Sequence, residues 1–523
     1  PQPPSIVGSH SPWLWRVLTR ALLQQRTTRP NVVRDFLRLQ PGDRCSDRAW
    51  TESERVLRAQ PFIASAELRA VPDGAGGVRL VVRTVDEIPV IVGGRIGGNR
   101  ITGVSFGNGN VMGQGALAVA SWRDGGAFRD GVGLRLADYH ALGGANVAAL
   151  RLERDPLGHD VDASLSHPFY TPLQHDAWTA AYRTQERYDA FHRGAAAAIS
   201  LPLRHETWRA GGVLRLGGVG QGVLAGAVGF GDRFEPTDAP VLVTDSGLVA
   251  DDDPLLMERY GTLSRRNVAG VVGVSALDFL RVQGFDALLG TQDLGRGVQL
   301  AVAVDPGIGT GQFYAGDLYA GTGTRHWFVG ARAEVEGRRP GGEAGWRDVV
   351  AGGRLAWYVK PAPTRTVVTS VEYGAAWRAR IPYQLTLADR RGGLLGYGDA
   401  DYAGARRVVV RGEYRRVVGS IPRLASLGVA GFVEGGRLWA GDAPYGVTTN
   451  TKGSVGLGLL AAVPKESRRM VRADVAVPLV RGGGAGWEVR VAVTSAARGF
   501  WREPGDVERM RSAPLAAGLF NWP

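Results

Sequence analysis

From about residue 88 onward, apolar and polar residues alternate in short runs separated by clusters of Gly, Asp, Asn and Pro. Ala116–Trp122, Gly131–Asp138, Val147–Glu153, Val367–Trp377, Val408–Tyr414 and Trp487–Val493 all follow this rhythm. A period of two is the mark of a strand with two unlike faces. The stretch before it reads differently. In Asn31–Leu37 the apolar positions are 32, 33, 36 and 37, one face of a helix, and Gly42-Asp43 ends that pattern. Ser46 or Asp47 is placed to cap a second helix, with Trp50, Ser53, Val56 and Leu57 on one side. Phe62–Val71 and Val78–Val85 then alternate across the turn Pro72-Asp73-Gly74. The predicted order is α-α-β-β, with an earlier strand a candidate at Arg16–Leu22.

No run of about 18 apolar residues exists, which excludes a helical membrane protein. It does not exclude a barrel, whose strands dilute the hydropathy signal by alternating. Residues 88–501 divide among sixteen strands at roughly 26 residues per strand and connection, suited to tilted spanning strands. Closure also removes the unpaired edges that an open sheet of this size would carry. The fold class expected is mainly β: a 16-stranded antiparallel transmembrane β-barrel preceded by one small α+β domain. A soluble β-propeller or β-solenoid is the alternative, but no blade-length repeat is evident.

Composition sharpens this picture in places. The chain has 523 residues and 76 Gly without a collagen period. Its single cysteine, Cys45, permits no internal disulfide. Pro1, with no Met and no apolar leader, fits a processed mature chain or a trimmed one. The net charge of +12 raises nucleic acid as a partner. The arginines are scattered through alternating strands, however, so a barrel lumen or anionic lipid headgroups suit them better and nucleic acid is not expected.

Three apparent chemical motifs fail on context. Gly103-Val104-Ser105-Phe106-Gly107 matches a nucleophile elbow, which needs a strand before it and a helix after it. Here Asn108-Gly109-Asn110 and another alternating run follow. The eight His residues show no H-x-x-x-H pair, and Asp251-Asp252-Asp253 lacks the spacing of an EF-hand, so it reads as a loop. No catalytic constellation, metal site or cofactor is expected, and the chain does not read as an enzyme.

Longer segments carry a resemblance. Thr28-Arg29-Pro30-Asn31-Val32-Val33, Gly42-Asp43, Leu57, Phe62 and Val81–Glu87 look like a POTRA domain. Phe106–Gly115 is similar to a turn after a first barrel strand, and Asp162–Tyr170 to a strand ending in Pro-Phe. Leu394-Leu395-Gly396-Tyr397, Glu413-Tyr414-Arg415, Phe432-Val433-Glu434-Gly435-Gly436 and Arg472–Leu479 follow in order. Together these resemble the BamA/TamA outer-membrane assembly (surface-antigen) superfamily, as a single-POTRA member. The resemblance implies an N-terminal segment over 1–25, POTRA over 26–87 (or from about residue 15), a barrel over 88–501 and a tail over 502–523. It implies the outer membrane of a diderm bacterium, with POTRA in the periplasm.

The implied function is insertion or translocation of client proteins by strand augmentation at a lateral seam. Outer-membrane lipid, and client or accessory proteins meeting POTRA and the seam, are the implied partners. Gly93, Gly94, Gly97 and Gly98 would weaken pairing at that seam. The alternative is a structural or pore-forming barrel subunit of a larger membrane complex, without insertase action. A two-partner secretion pore is a third reading, though that class usually has two POTRA domains.

In such barrels the sixth loop carries an arginine that pairs with acidic residues on the inner wall. Here Leu394, Leu395, Gly396 and Tyr397 occupy the motif, and Leu395 stands at the arginine position. The implied acidic partners, Glu413 and Glu434, remain. A buried carboxylate without a partner is costly, so water, or Arg390 or Arg391 in a shifted register, is expected to satisfy them. Val489, Val491, Val493 and Phe500 form the implied C-terminal strand signal. The chain continues past it, and this tail reads as a partner-docking segment or a disordered end.

Overall fold

The computed structural model describes residues 27–511 and Leu519, apart from residues 75, 98–99, 195, 219–220, 252, 308–310, 342–344, 389–391, 398–401, 422–423, 481–485, 496–500 and 502. The candidate strand Arg16–Leu22, Arg390, Arg391 and Phe500 lie outside the described residues. The chain divides into two compact units, residues 1–165 and 166–523.

The first unit begins with the expected α-α-β-β block. Helix Pro30–Asp35 has Pro at its first position, where a missing N–H costs nothing. Helix Asp47–Ala59 is capped by Ser46, whose hydroxyl accepts from the Ala49 N–H at 3.2 Å. Strands Ile63–Pro72 and Val78–Asp86 pair antiparallel across the predicted turn. Val32, Phe36, Val56, Leu57, Phe62 and Ile63 are buried among these elements. The block is tied to the strands that follow. The Thr28 hydroxyl donates to Asp86 at 2.9 Å and accepts from the Asn110 amide at 2.9 Å. The Phe62 ring lies 6.2 Å from Phe36 and 6.4 Å from Tyr139. Gly115, at φ +74°, leaves room for that ring: a Cβ there would fall 2.9 Å from it.

Six strands complete this unit in sequence order, from Val90–Gly97 to Gly158–His167. The elbow-like Gly103–Gly107 lies inside strand Arg100–Asn108, and strand Ala116–Arg123 follows a single 3-10 turn. Ser105 therefore has no helix behind it.

The second unit is a larger antiparallel meander of fourteen strands among the described residues, from Asp176–Arg193 to Glu488–Ser495. A short hairpin, Val241–Thr244 with Gly247–Ala250, is inserted beside it. With the six strands of the first unit, the described meander strands number twenty, against the sixteen expected. The connections are shorter than a sixteen-strand division assumes. Strands such as Leu263–Gln283 also run straight through Gly270 and Gly273, which read as breaks in sequence.

Each strand of the second unit shows two faces. Val268 and Val272, Leu457 and Leu459, Val471 and Val475, and Val489, Val491 and Val493 are exposed. The opposite faces bury Arg265 and Asn267, Asp317, Arg354, Arg407, Glu434 and Asp474. Apolar residues such as Val271, Phe328 and Val409 are buried among these charges, so the covered face is mixed, while the other face exposes a row of Val and Leu. No helix of the described residues is long and apolar enough to cross a membrane. Asp253 caps helix Pro254–Arg259, and Asp251 pairs with Arg193 at 3.0 Å.

Phe62→Ala removes the ring that joins the two helices to the strand turns. It should cost about 3–5 kcal/mol and speed hydrogen exchange across helix Asp47–Ala59, measured by mass spectrometry. Unchanged exchange there would show that the packing carries little of the block's stability.

Candidate functional site

Strands Arg406–Ile421 and Ala425–Trp439 set the site. Alternation places Arg407, Val409, Arg411, Glu413 and Arg415 on the covered face, while Val410 and Tyr414 on the other face are exposed. Antiparallel register puts Arg411 opposite Glu434. The Arg411 Nε donates to Glu434 at 2.8 Å, and the pair is joined by the Ser454 hydroxyl at 3.2 Å.

The loop motif folds onto this pair. Leu394 donates its N–H to the Leu387 carbonyl at 2.6 Å, and Gly393 donates to Ala388 at 2.9 Å, so the segment doubles back on itself. The Leu395 N–H donates to Glu434 Oε2 at 3.0 Å. The next N–H, on Gly396, donates to Glu488 at 2.8 Å. Gly396 has φ +83°, and a Cβ there would lie 3.0 Å from the Gly486 carbonyl, so the turn favours glycine. Tyr397 donates its hydroxyl to the Gly453 carbonyl at 2.9 Å. Arg411 also donates to the Gly393 carbonyl. The loop is thus held by consecutive backbone N–H groups on two wall carboxylates, with no guanidinium of its own involved in those bonds.

The Leu395 side chain has a separate role. It packs with Phe432 and Ala476 in a small buried cluster. The far side of Phe432 faces Arg472, whose guanidinium carbon is 5.4 Å from the ring centroid. Leu394 and Tyr397 join a larger cluster with Leu385, Leu387, Val409 and Leu438.

Glu413 does not bind the loop through the bonds that hold it. It accepts from Arg472 at 2.8 and 3.0 Å and from Arg415. Arg472 reaches Asp474 as well, at 2.6 and 2.7 Å. Arg415 continues to the Phe285 carbonyl at 2.8 Å, beside Asp286. Burial pushes the Asp286 carboxyl above its usual range, against the pull of Arg415, and the Tyr358 hydroxyl donates to it at 2.9 Å. Among the described residues, strand arginines reach both carboxylates: Arg411 reaches Glu434, and Arg415 and Arg472 reach Glu413; Arg390 and Arg391 lie outside the described residues. Sequence reasoning passed over Arg411, Arg415, Arg472 and Glu488. The signal was available for the arginines: Arg411-x-Glu413-x-Arg415 and Arg472-x-Asp474 are same-face spacings in a strand.

Of the implied C-terminal signal, Val489, Val491 and Val493 share one exposed face. In the tail, Trp501, Asp506, Val507, Met510 and Arg511 are buried, while Gly505, Glu508 and Arg509 are exposed. No cluster of metal-ligating side chains occurs among the described residues.

The chain matches no protein-family model and no curated protein. Solved structures similar to it include BamA from Haemophilus ducreyi lacking POTRA domains 1–3, at 11% identity and TM-score 0.39, covering 90% of this chain and 82% of that one. CdiB from Escherichia coli gives 13% identity and TM-score 0.47 over 89% and 73%. CdiB from Acinetobacter baumannii gives 8% and 0.41 over 90% and 72%. Likeness this distant carries nothing about function.

Two substitutions test the site. Glu434→Ala strips an acceptor from Arg411, Ser454 and the Leu395 N–H, and should cost about 2–4 kcal/mol. Leu395→Arg should also lower the urea midpoint, because it places a third cation beside Arg411 and Arg472, whose carboxylates are already engaged. A raised midpoint for Leu395→Arg would show that the wall carboxylates still lack charge.

Proposed function

We propose that the chain is an outer-membrane β-barrel of the assembly or translocation type, with residues 26–87 as a POTRA domain in the periplasm. Its two meanders are consecutive parts of one closed barrel. The supporting observation is the row of exposed Val and Leu along one face of the sheet, with paired Arg, Asp and Glu buried among apolar residues on the other. A lipid-facing wall around a polar interior has this pattern, and closure removes edges that lipid could not satisfy.

The site gives the reading its direction. A loop turned onto the inner wall and bonded to Glu434 and Glu488 narrows a barrel interior rather than leaving a plain pore. The first and last meander strands, Val90–Gly97 and Glu488–Ser495, have eight residues each, while Leu263–Gln283 has twenty-one. Short terminal strands form few ladder bonds, which suits a seam that opens to a client strand. Backbone pairing there, and at the Ile63–Pro72 and Val78–Asp86 hairpin, is tolerant of client sequence.

A second reading is a structural or pore-forming subunit without insertase action. The apolar seat of Leu395 favours it, because the loop is anchored without the implied arginine. Reconstitution in liposomes separates the two: an insertase accelerates folding of an added outer-membrane barrel, and a structural subunit leaves the rate at that of empty liposomes.

The membrane reading has its own check. Leu457 is 72% exposed on the apolar face. Leu457→Arg should cost about 2–4 kcal/mol in a bilayer if the residue sits near the midplane. On a water-facing surface the same change stays within about 0.5 kcal/mol. Urea unfolding in lipid vesicles distinguishes these results.

A further inference from the structure

After its last strand the chain returns to the covered face of the second unit's sheet. Strand Trp327–Arg339 turns Phe328, Gly330, Arg332 and Glu334 to that face, while Val335 is exposed on the other. Trp501 lies over Gly330, where a Cβ would come within 2.4 Å of its ring. Its ring meets Tyr319 edge-on at 5.6 Å, and its carbonyl accepts from Arg332 at 3.2 Å. Arg511 donates to Glu503 at 2.5 and 2.6 Å and to the Glu334 carbonyl at 3.1 Å.

Between these contacts, Asp506 accepts from Arg407 at 2.6 and 3.1 Å. The Arg407 and Asp506 side chains are 1% and 2% exposed. Arg407 also donates to the Thr386 carbonyl at 2.8 Å, so one guanidinium joins wall, tail and loop. Val507 and Met510 enter the same buried cluster as Leu385, Leu387, Leu394 and Tyr397. A Cβ on Gly374 would lie 2.8 Å from Val507, and one on Gly392 would lie 2.9 Å from Pro504. Farther along, the Leu519 carbonyl accepts from the Phe169 N–H at 2.8 Å, and its side chain is buried with Phe230 and Phe313.

Simple adhesion would need only apolar contact. A buried ion pair adds little net stability, because desolvation offsets the attraction, but removing one partner leaves the other charge buried and is strongly destabilising. The tail is seated at Trp501, Asp506, Arg511 and Leu519, each against a different part of the same face. The folded-back loop is caught between the tail and the wall.

We propose that Trp501 and residues 503–511 form a built-in plug that obstructs the barrel interior and clamps the loop, with Arg407–Asp506 as its latch. The proposal rests on the membrane-barrel reading and goes beyond it, since neither insertion nor a structural role requires an occupied interior.

Planar-bilayer recording tests the plug. The proteins compared are the full chain, Asp506→Arg, Arg407→Asp, the two changes combined, and a chain ending at residue 500. Each is first shown to be folded by the mobility shift of unheated protein in gels. The full chain should conduct weakly. Each single variant and the shortened chain should conduct several-fold more, and the combined variant should return towards the full chain. If the charge variants do not fold, the shortened chain decides alone. Equal conductance of the full and shortened chains overturns the plug, and so does a combined variant as open as the singles. A full chain that never enters the bilayer overturns the membrane reading, and the plug with it.

Discussion

Every charge turned to the covered face of the large sheet has to meet an opposite charge there. That face buries Arg407, Glu434, Asp474, Arg354 and Asp317, and leaving any of them unpaired would cost several kcal/mol. The arrangement that satisfies them also fixes where the loop and the tail lie. Arg411 and Glu434 face each other by strand register and leave one carboxylate oxygen for the loop backbone. Glu413 is enclosed by Arg415 and Arg472. Arg407 reaches out of the wall to Asp506. The loop and the tail are therefore members of the charge network rather than additions to it.

This network explains how the loop keeps its seat with an uncharged side chain at position 395. A guanidinium brings several N–H donors to a carboxylate on a flexible stem. Two consecutive backbone N–H groups, on Leu395 and Gly396, bring donors to Glu434 and Glu488 without immobilising a long side chain. Among the described residues, the charge opposite Glu434 comes from Arg411, set in its strand. Leu395 is then free to fill the apolar step between Phe432 and Ala476.

Much of the backbone was legible from periodicity alone. The helix with Val32 and Phe36, the Ser46 cap, the hairpin around Asp73 and the alternating strands all rest on local rules, and the structure places them as expected. Strand number was less legible, because glycines within long strands look like turns in sequence. The partners of Glu413 and Glu434 were hidden for a different reason. Their spacing to Arg411 and Arg415 is local, but Arg472 and Glu488 arrive through sheet register and loop path, which one sequence does not display. The tail was least legible: Trp501, Asp506 and Arg511 follow no period, and only their contacts give them meaning.

The position of the tail in the chain has a consequence for the order of folding. Arg407 and Asp506 are 99 residues apart in sequence, so their pairing closes a long loop. Bringing such distant ends together costs chain entropy, and that cost falls once the strands between them have paired. The contact is therefore cheapest to make after the sheet has formed, which places the tail among the last elements to settle.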